Sequence, residues 1–201
     1  EQGGVPATRD GALFLSLFGI LLDDLGHYEE ALEKQEAALE IEQRVLPPDH
    51  PNIAISLSNI GFTLGDLGRY EEALKKQEAA LEIQQRVLPP DHPNIATSFN
   101  NIGLTLGDLG RPEEALEKKE AALAIRQRVL PPDHPNIATS LGNIGGTLGK
   151  LGRYDEELDK HEAALEIWQR VLPPDHPYIA QTLELIQTCR GKLAESNHIE
   201  Q

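Results

Sequence analysis

The chain has 201 residues, a formal net charge of −15 and one cysteine, Cys189. So acidic a surface repels phosphate backbones and anionic lipid headgroups, and nucleic acid and membranes are therefore not expected as partners. A single cysteine excludes an intrachain disulfide and a cysteine metal cluster, and it fits a reducing compartment such as the cytoplasm. No Gly-rich strand-to-helix turn of a phosphate loop is present, and we expect no cofactor.

The first predicted element, after an irregular segment over residues 1–9, is a helix over residues 10–25. Its positions Phe14, Leu17 and Leu21 are spaced as i, i+3 and i+7, so they form one apolar stripe, whereas later copies of this helix carry Ser56, Asn59 and Thr63 there. An open apolar stripe typically marks an interface. We expect two chains to associate through this end, as a homodimer, or to exchange N-terminal elements. The alternative is that residues 1–9 or a removed segment cover it.

The second hairpin shows the repeating unit in full. Apolar residues spaced three and four apart predict a first helix from about Pro51 to Leu67, and Gly68 ends it. A half-buried amphipathic helix follows from Tyr70 to Val87, with Tyr70, Ala73, Leu74, Ala80, Leu81, Ile83 and Val87 facing inward. The Pro-Pro pair after it stops the helix.

The loop between hairpins recurs with a fixed step. Pro-Pro-Asp-His-Pro begins at residues 47, 89, 131 and 173, each 42 residues after the last, and residues 47–88 and 89–130 differ at nine of 42 positions. Four histidines in these loops suggest a metal site, but equivalent loops lie too far apart for shared ligands. We expect no metal and interpret Asp-His-Pro as a helix-start device, with the aspartate near the positive helix end.

Four hairpins and a final helix account for the chain. We expect all-α architecture, an α-solenoid of stacked antiparallel hairpins, as one domain. The predicted segments are 1–9, repeat 1 over 10–46, repeat 2 over 47–88, repeat 3 over 89–130, repeat 4 over 131–172, and a capping helix and tail over 173–201. Gln187 and Arg190 replace Gly61 and Leu64 of the repeats, which suits an uncovered last helix. Because methionine is absent, we expect a processed or excised piece of a longer array.

Three further features have ordinary structural explanations. We attribute Gly61, Gly103 and Gly145 to close helix packing, and Gly65, Gly107 and Gly149 to a bare groove floor. Trp168 is expected to pack against the terminal segment. Acidic pairs on the second helices, with Lys75-Lys76 or Lys118-Lys119 beside them, are interpreted as a solvated charged face.

The combination of Ala73-Leu74, the turn at Gly68 and the small residues Gly61 and Ala80 resembles the tetratricopeptide template. The string Asp91-His92-Pro93-Asn94-Ile95-Ala96, with Asn100-Asn101-Ile102-Gly103, is similar to the 42-residue repeats of kinesin light chain. The resemblance implies that the first helices line a concave groove, whose asparagines hydrogen-bond the backbone of an extended peptide.

Carried across by motif, the resemblance gives a set of groove candidates: Ser58, Asn59, Phe62, Asp66, Asn100, Asn101, Asp108, Asn143 and Lys150. Kinesin light chain accepts acidic peptides through basic groove residues. Here the groove would present Asp23, Asp24, Asp66 and Asp108 against Lys150. A neutral or basic protein or peptide is therefore the expected partner.

No Ser/His/Asp or Cys/His set has a supporting motif, so no catalytic residues and no enzyme activity are predicted. The favoured function is a protein- or peptide-binding scaffold. The alternative is a structural spacer or self-assembly module with no dedicated ligand in the groove, which the near-identity of the repeats favours because a tuned groove normally diversifies along its length.

Overall fold

The structure, a computed structural model, describes the backbone of residues 8–199 and the side chains of residues 8–195. Over this part the secondary structure consists of nine α-helices and no strands, as predicted. The expectation of an irregular segment concerns mostly residues 1–7, which lie outside the described part, as do residues 200–201.

The chain divides into two compact units, residues 1–90 and 91–201. Unit 1 contains two antiparallel hairpins, made of α1 (Arg9–Asp24), α2 (Tyr28–Val45), α3 (Pro51–Asp66) and α4 (Tyr70–Val87). Unit 2 contains two more hairpins and a final helix: α5 (Pro93–Asp108), α6 (Pro112–Val129), α7 (Pro135–Lys150), α8 (Tyr154–Val171) and α9 (Pro177–Ile199).

The predicted helix limits are confirmed within one residue in the second hairpin, because its stop signals are strong. Gly68 has φ +71° and its amide donates to the Gly65 carbonyl oxygen over 2.9 Å. The amide of the next residue, Arg69, donates to the Leu64 carbonyl oxygen over 2.8 Å. These two bonds satisfy carbonyls at the helix end in a conformation that glycine adopts without strain. By contrast, α9 continues past the expected end near residue 195.

The helices α3, α5, α7 and α9 each begin with a histidine cap. The Nδ1 atoms of His50, His92, His134 and His176 accept the amide two residues later over 3.1–3.2 Å. The helix-start device is thus confirmed, but histidine is the capping residue and aspartate has another role. Asp49, Asp91 and Asp133 form ion pairs with an arginine near the end of the hairpin's second helix: Arg86, Arg128 and Arg170.

A separate apolar core holds each unit together. In unit 1 it centres on Ile60 and Leu64 of α3, packed against residues of α2 and α4 such as Leu39 and Ala80. In unit 2 the equivalent residues of α7 pack against α6, α8 and α9. The inward position predicted for Val87 is wrong, since its side chain is 40% exposed at the point where the helix gives way to extended chain.

Candidate functional site

The predicted site residues lie on the first helices of the hairpins, α3 in unit 1 and α5 and α7 in unit 2. Asn59, Asn101 and Asn143 occupy the same position on these helices and are all half-buried. Their neighbours Ser58 and Asn100 are half-buried too, whereas Phe62, Asp66, Asp108 and Lys150 are exposed. The Ser58 hydroxyl donates to the Ala54 carbonyl oxygen over 2.9 Å, so it is satisfied within its own helix.

Unit 1 carries a pair of acidic residues, Asp23 and Asp66, on its first helices α1 and α3. Asp23 of α1 accepts a hydrogen bond from the Thr63 hydroxyl over 2.7 Å, and Thr63 in turn lies 2.9 Å from the Gln35 side-chain oxygen. Burial raises the pKa of Asp66, and the charge of Asp23 raises it further. Two carboxylates that repel one another form a site that a cation would stabilise.

In unit 2 two of the predicted asparagines contact each other. The Asn143 amide nitrogen donates to the Asn100 side-chain oxygen over 3.3 Å, linking α7 to α5. An asparagine side chain has two N–H donors and one carbonyl acceptor. The contact therefore uses one donor of Asn143 and leaves its Oδ1 and second N–H able to bond a ligand.

The structure corrects the placement of Lys119, which was assigned to a solvated face. Its side chain is only 7% exposed, and its Nζ donates to the Thr147 hydroxyl over 2.8 Å. Burial lowers its pKa; Lys150 lowers it further and Asp108 opposes the change. The lysine stem fits there because Gly103 lies opposite it: a Cβ on that glycine would come within 2.8 Å of the Lys119 Cγ. Unit 2 thus has a second cation beside Lys150.

The glycine expectations hold at most positions. A Cβ on Gly61, Gly103 or Gly145 would meet a side chain of the paired helix at 2.7–2.8 Å, which confirms close packing. Nothing lies within 4 Å of such an atom on Gly65, and only the Lys150 Nζ is near Gly107, at 4.0 Å. The bare-floor interpretation is wrong for Gly149, since a Cβ there would come within 2.6 Å of the Glu157 carboxylate.

A buried polar cluster between α7, α8 and α9 was missed by sequence reasoning. Glu157, at a position held by buried alanines Ala31, Ala73 and Ala115, has its Oε1 3.8 Å from His161 Nε2 and its Oε2 3.7 Å from Lys192 Nζ. Burial raises the pKa of Cys189 to about 11, so its thiol stays protonated at neutral pH. The signal that could have found this cluster is the replacement of the aligned alanines by Glu157.

The described residues contain no group of three or more His, Cys, Asp or Glu side chains placed to hold a metal ion. Within the same part of the chain, no helix is both long enough and apolar enough to cross a membrane. The Trp168 ring packs 5.2 Å from the Tyr178 ring of α9, which confirms the expected contact with the terminal segment.

Comparison with known proteins settles the family. The sequence model of the tetratricopeptide repeat matches residues 12–75, 52–128, 100–165 and 136–186. The chain belongs to the tetratricopeptide repeat family. No curated protein sequence matches this tetratricopeptide repeat protein significantly.

Solved structures agree with this fold. A kinesin light chain-like protein of Podosopora anserina with nearly identical TPR-like repeats matches with a TM-score of 0.83 at 20% identity, over 96% of this chain and 92% of that one. BtubC (BKLC) from P. vanneervenii matches with a TM-score of 0.80 at 22% identity, over 92% and 74% of the two chains. The apo form of RapI matches with a TM-score of 0.79 at 18% identity, over 92% and 65%. The predicted α-solenoid class and the predicted resemblance to kinesin light chain-like repeat proteins are thereby confirmed.

Proposed function

We propose that this tetratricopeptide repeat protein is a non-enzymatic cytoplasmic scaffold that binds an extended segment of a partner protein on the first helices of its hairpins. The observation that carries the proposal is that half-buried asparagines occupy the same position on the first helices of both units, Asn59 in unit 1 and Asn101 and Asn143 in unit 2. Half-buried amides with spare donors and acceptors can bond a peptide backbone without first losing a full hydration shell. Gly65 and Gly146, beside which a Cβ would meet nothing within 4 Å, leave room for that backbone.

The charge of the face in unit 1 favours a basic segment. Asp23 and Asp66 repel each other, and a lysine or arginine of the partner placed beside them would relieve this repulsion. The net charge of −15 adds long-range attraction for such a segment. Binding should therefore weaken as salt concentration rises.

Titration with short lysine-containing, neutral and glutamate-containing peptides, followed by fluorescence anisotropy, tests the proposal. We expect the lysine peptides to bind best, and Asp66→Asn to weaken them about tenfold, as loss of one charge-assisted contact predicts. The double variant Asn101→Ala/Asn143→Ala should weaken all peptides that bind. Asn94→Ala, an exposed asparagine at the start of α5, is the matched control and should change nothing. Equal binding of acidic and basic peptides would reject the charge preference; unchanged binding by the double variant would reject the role of the asparagines.

A second candidate is a self-assembly module, and the exposed apolar surface of α1 favours it. Phe14, Leu17 and Leu21 are 52–59% exposed in unit 1, and Phe14 stacks on Phe18 with ring centroids 6.1 Å apart. The exposed apolar surface is wider than the predicted stripe, since Leu13 and Leu25 add to it. We propose homodimerisation through this surface.

A further inference from the structure

A cavity of about 290 Å³ lies in unit 1, where the beginnings of α1 and α3 meet the end of α2. Its walls are apolar at Leu13, Leu46 and Ile55, and polar at Glu42 and Ser56. This volume is at the small end of the range for ligand pockets, which is roughly 300–1,000 Å³. It suits the head of a small molecule or one long side chain.

The carboxylate of Glu42 is the unusual group of this cavity. The residue is 6% exposed, and its Oε2 has no hydrogen-bond partner among the described residues. Burial raises the pKa of Glu42, while a hydrogen bond with Ser56 and the nearby His50 act in the opposite direction. A buried carboxylate oxygen without a donor is costly, so it calls for an explanation.

Unit 2 shows which side chain fits beside the serine that corresponds to Ser56. Arg126 of α6 aligns with Glu42, and Ser140 aligns with Ser56. The Arg126 Nη1 donates to the Ser140 hydroxyl over 2.6 Å and lies 3.5 Å from the Asn136 carbonyl oxygen. A guanidinium therefore occupies the equivalent place in unit 2, where the chain supplies its own cation.

Unit 1 instead supplies the acceptor, and it also supplies apolar walls. Leu13 and Ile55 stand where unit 2 has Thr97 and Thr139. We propose that this cavity is a binding site for the cationic head of an organic guanidinium or ammonium group, with Glu42 as its counter-ion and the two apolar side chains beside the aliphatic stem. The carboxylate would pair with the cation through charge-assisted hydrogen bonds.

Other charged groups also line the cavity and affect the binding of a cation, while Glu42 determines how that binding depends on pH. Arg9 and Asp10 of α1 and His50 before α3 also line it. Arg9 is exposed at the rim and competes with a bound cation, whereas Asp10 assists it. Because the cation requires the ionised form of Glu42, affinity should rise with pH as that carboxyl loses its proton.

The inference goes beyond the peptide-binding proposal, and the two fail separately. The cavity lies in unit 1, while the asparagine variants Asn101→Ala and Asn143→Ala lie in unit 2. Loss of peptide binding in those variants says nothing about Glu42, and loss of cation binding in a Glu42 variant says nothing about the asparagines.

The test is a titration of the ¹⁵N-labelled full chain with n-butylguanidinium, and with n-butylurea as its nearly isosteric neutral analogue. We expect the guanidinium to shift amides at the starts of α1 and α3 and the end of α2, and the urea to bind at least tenfold more weakly. Glu42→Gln should weaken guanidinium binding at least tenfold. Glu40→Gln, on the same helix but exposed and paired with Arg44 over 3.3 Å, should leave it unchanged.

The variant Glu42→Arg tests whether weak binding by Glu42→Gln could result from misfolding alone. It copies the arrangement of Arg126 and Ser140, so it should fold and should no longer bind the guanidinium. Equal binding of the urea, unchanged binding by Glu42→Gln, or shifts confined to other helices would overturn the proposal, as would an absence of any guanidinium-dependent shift.

A second experiment distinguishes two sources of the cation, a side chain of a partner protein and a free small molecule. An arginine-containing peptide is compared with n-butylguanidinium at the same site. At least tenfold tighter binding of the peptide indicates an arginine or lysine side chain of a protein partner, and equal binding indicates a free small molecule. Either result must disappear in Glu42→Arg.

Discussion

Glycines inside the first helices act in two ways, according to what lies opposite the missing side chain. Gly103 faces the Lys119 stem at 2.8 Å and the Ala115 carbonyl oxygen at 3.1 Å, measured from the place its Cβ would occupy. Gly107, one turn later, has only the Lys150 Nζ at 4.0 Å. The first glycine is required by packing, whereas the second lowers helix stability without a packing reason.

Alanine at these two positions should have opposite effects. Gly103→Ala should lower the free energy of unfolding by about 1–3 kcal/mol, because the backbone oxygen of Ala115 cannot move aside cheaply. Gly107→Ala should raise it by about 0.5–1 kcal/mol. Urea unfolding followed by circular dichroism measures both. A loss of stability in Gly107→Ala would show that the open space is used by neighbouring atoms.

Single residues also mark the limit of sequence reasoning for the site. The positions of Asn59, Asn101 and Asn143 on the first helices could be predicted because they repeat with the period. The environments of Glu42, Lys119 and Glu157 could not, since each replaces a different residue at a position whose burial depends on the facing helix. Alignment of the repeats shows that these residues differ, but it does not show that their charges are removed from water.

At the scale of one element, the packing of α9 against α8 involves a buried cluster formed by His161 and Glu157 of α8 and Lys192 of α9. His161 is 2% exposed, and its Nε2 has no hydrogen-bond partner among the described side chains. Burial lowers its pKa; Glu157 opposes this change and Lys192 adds to it. The folded state therefore prefers the neutral imidazole.

The lowered pKa of His161 determines how the stability of the chain changes with pH. The pKa of His161 in the folded chain is below its ordinary value of 6.5, so the unfolded state binds more protons between these two values. The stabilisation is complete above pH 6.5 and is lost as the pH falls from 6.5 through the folded pKa. His161→Gln, which copies Gln35 and Gln77, should remove this dependence.

Thermal unfolding of both proteins between pH 7.5 and 5 measures the effect. The Tm of the wild type should fall relative to that of the variant as the pH decreases, and each 1 kcal/mol of lost stability corresponds to about 2–4 °C for a chain of this size. The comparison cancels the other histidines, which both proteins share. Parallel curves over the whole range would show that His161 does not contribute.

For the whole molecule, the fold class could be predicted because a 42-residue period combines with helical spacing inside each copy. The exposed surface of α1 followed from the same comparison, because Phe14, Leu17 and Leu21 replace polar residues. What covers this surface depends on a second molecule or another segment, and the period contains no information about either.

Sedimentation equilibrium tests the homodimer. The wild type should show a concentration-dependent dimer, and Phe14→Ser/Leu17→Asn should be monomeric, because the polar residues of α3 are restored at both positions. Leu183→Ser, an exposed leucine of α9, should behave like the wild type and is the control. Monomers for both wild type and double variant would reject association through α1.

The histidine caps make the beginnings of four helices depend on one atom each. In every copy the lone pair of Nδ1 is the side-chain acceptor for the amide of Asn52, Asn94, Asn136 or Tyr178, and a side chain without an acceptor at that place would leave the amide to water. A change carried by every copy of the loop would therefore weaken the beginnings of α3, α5, α7 and α9 together, so duplication has turned one local contact into a shared weakness of the fold.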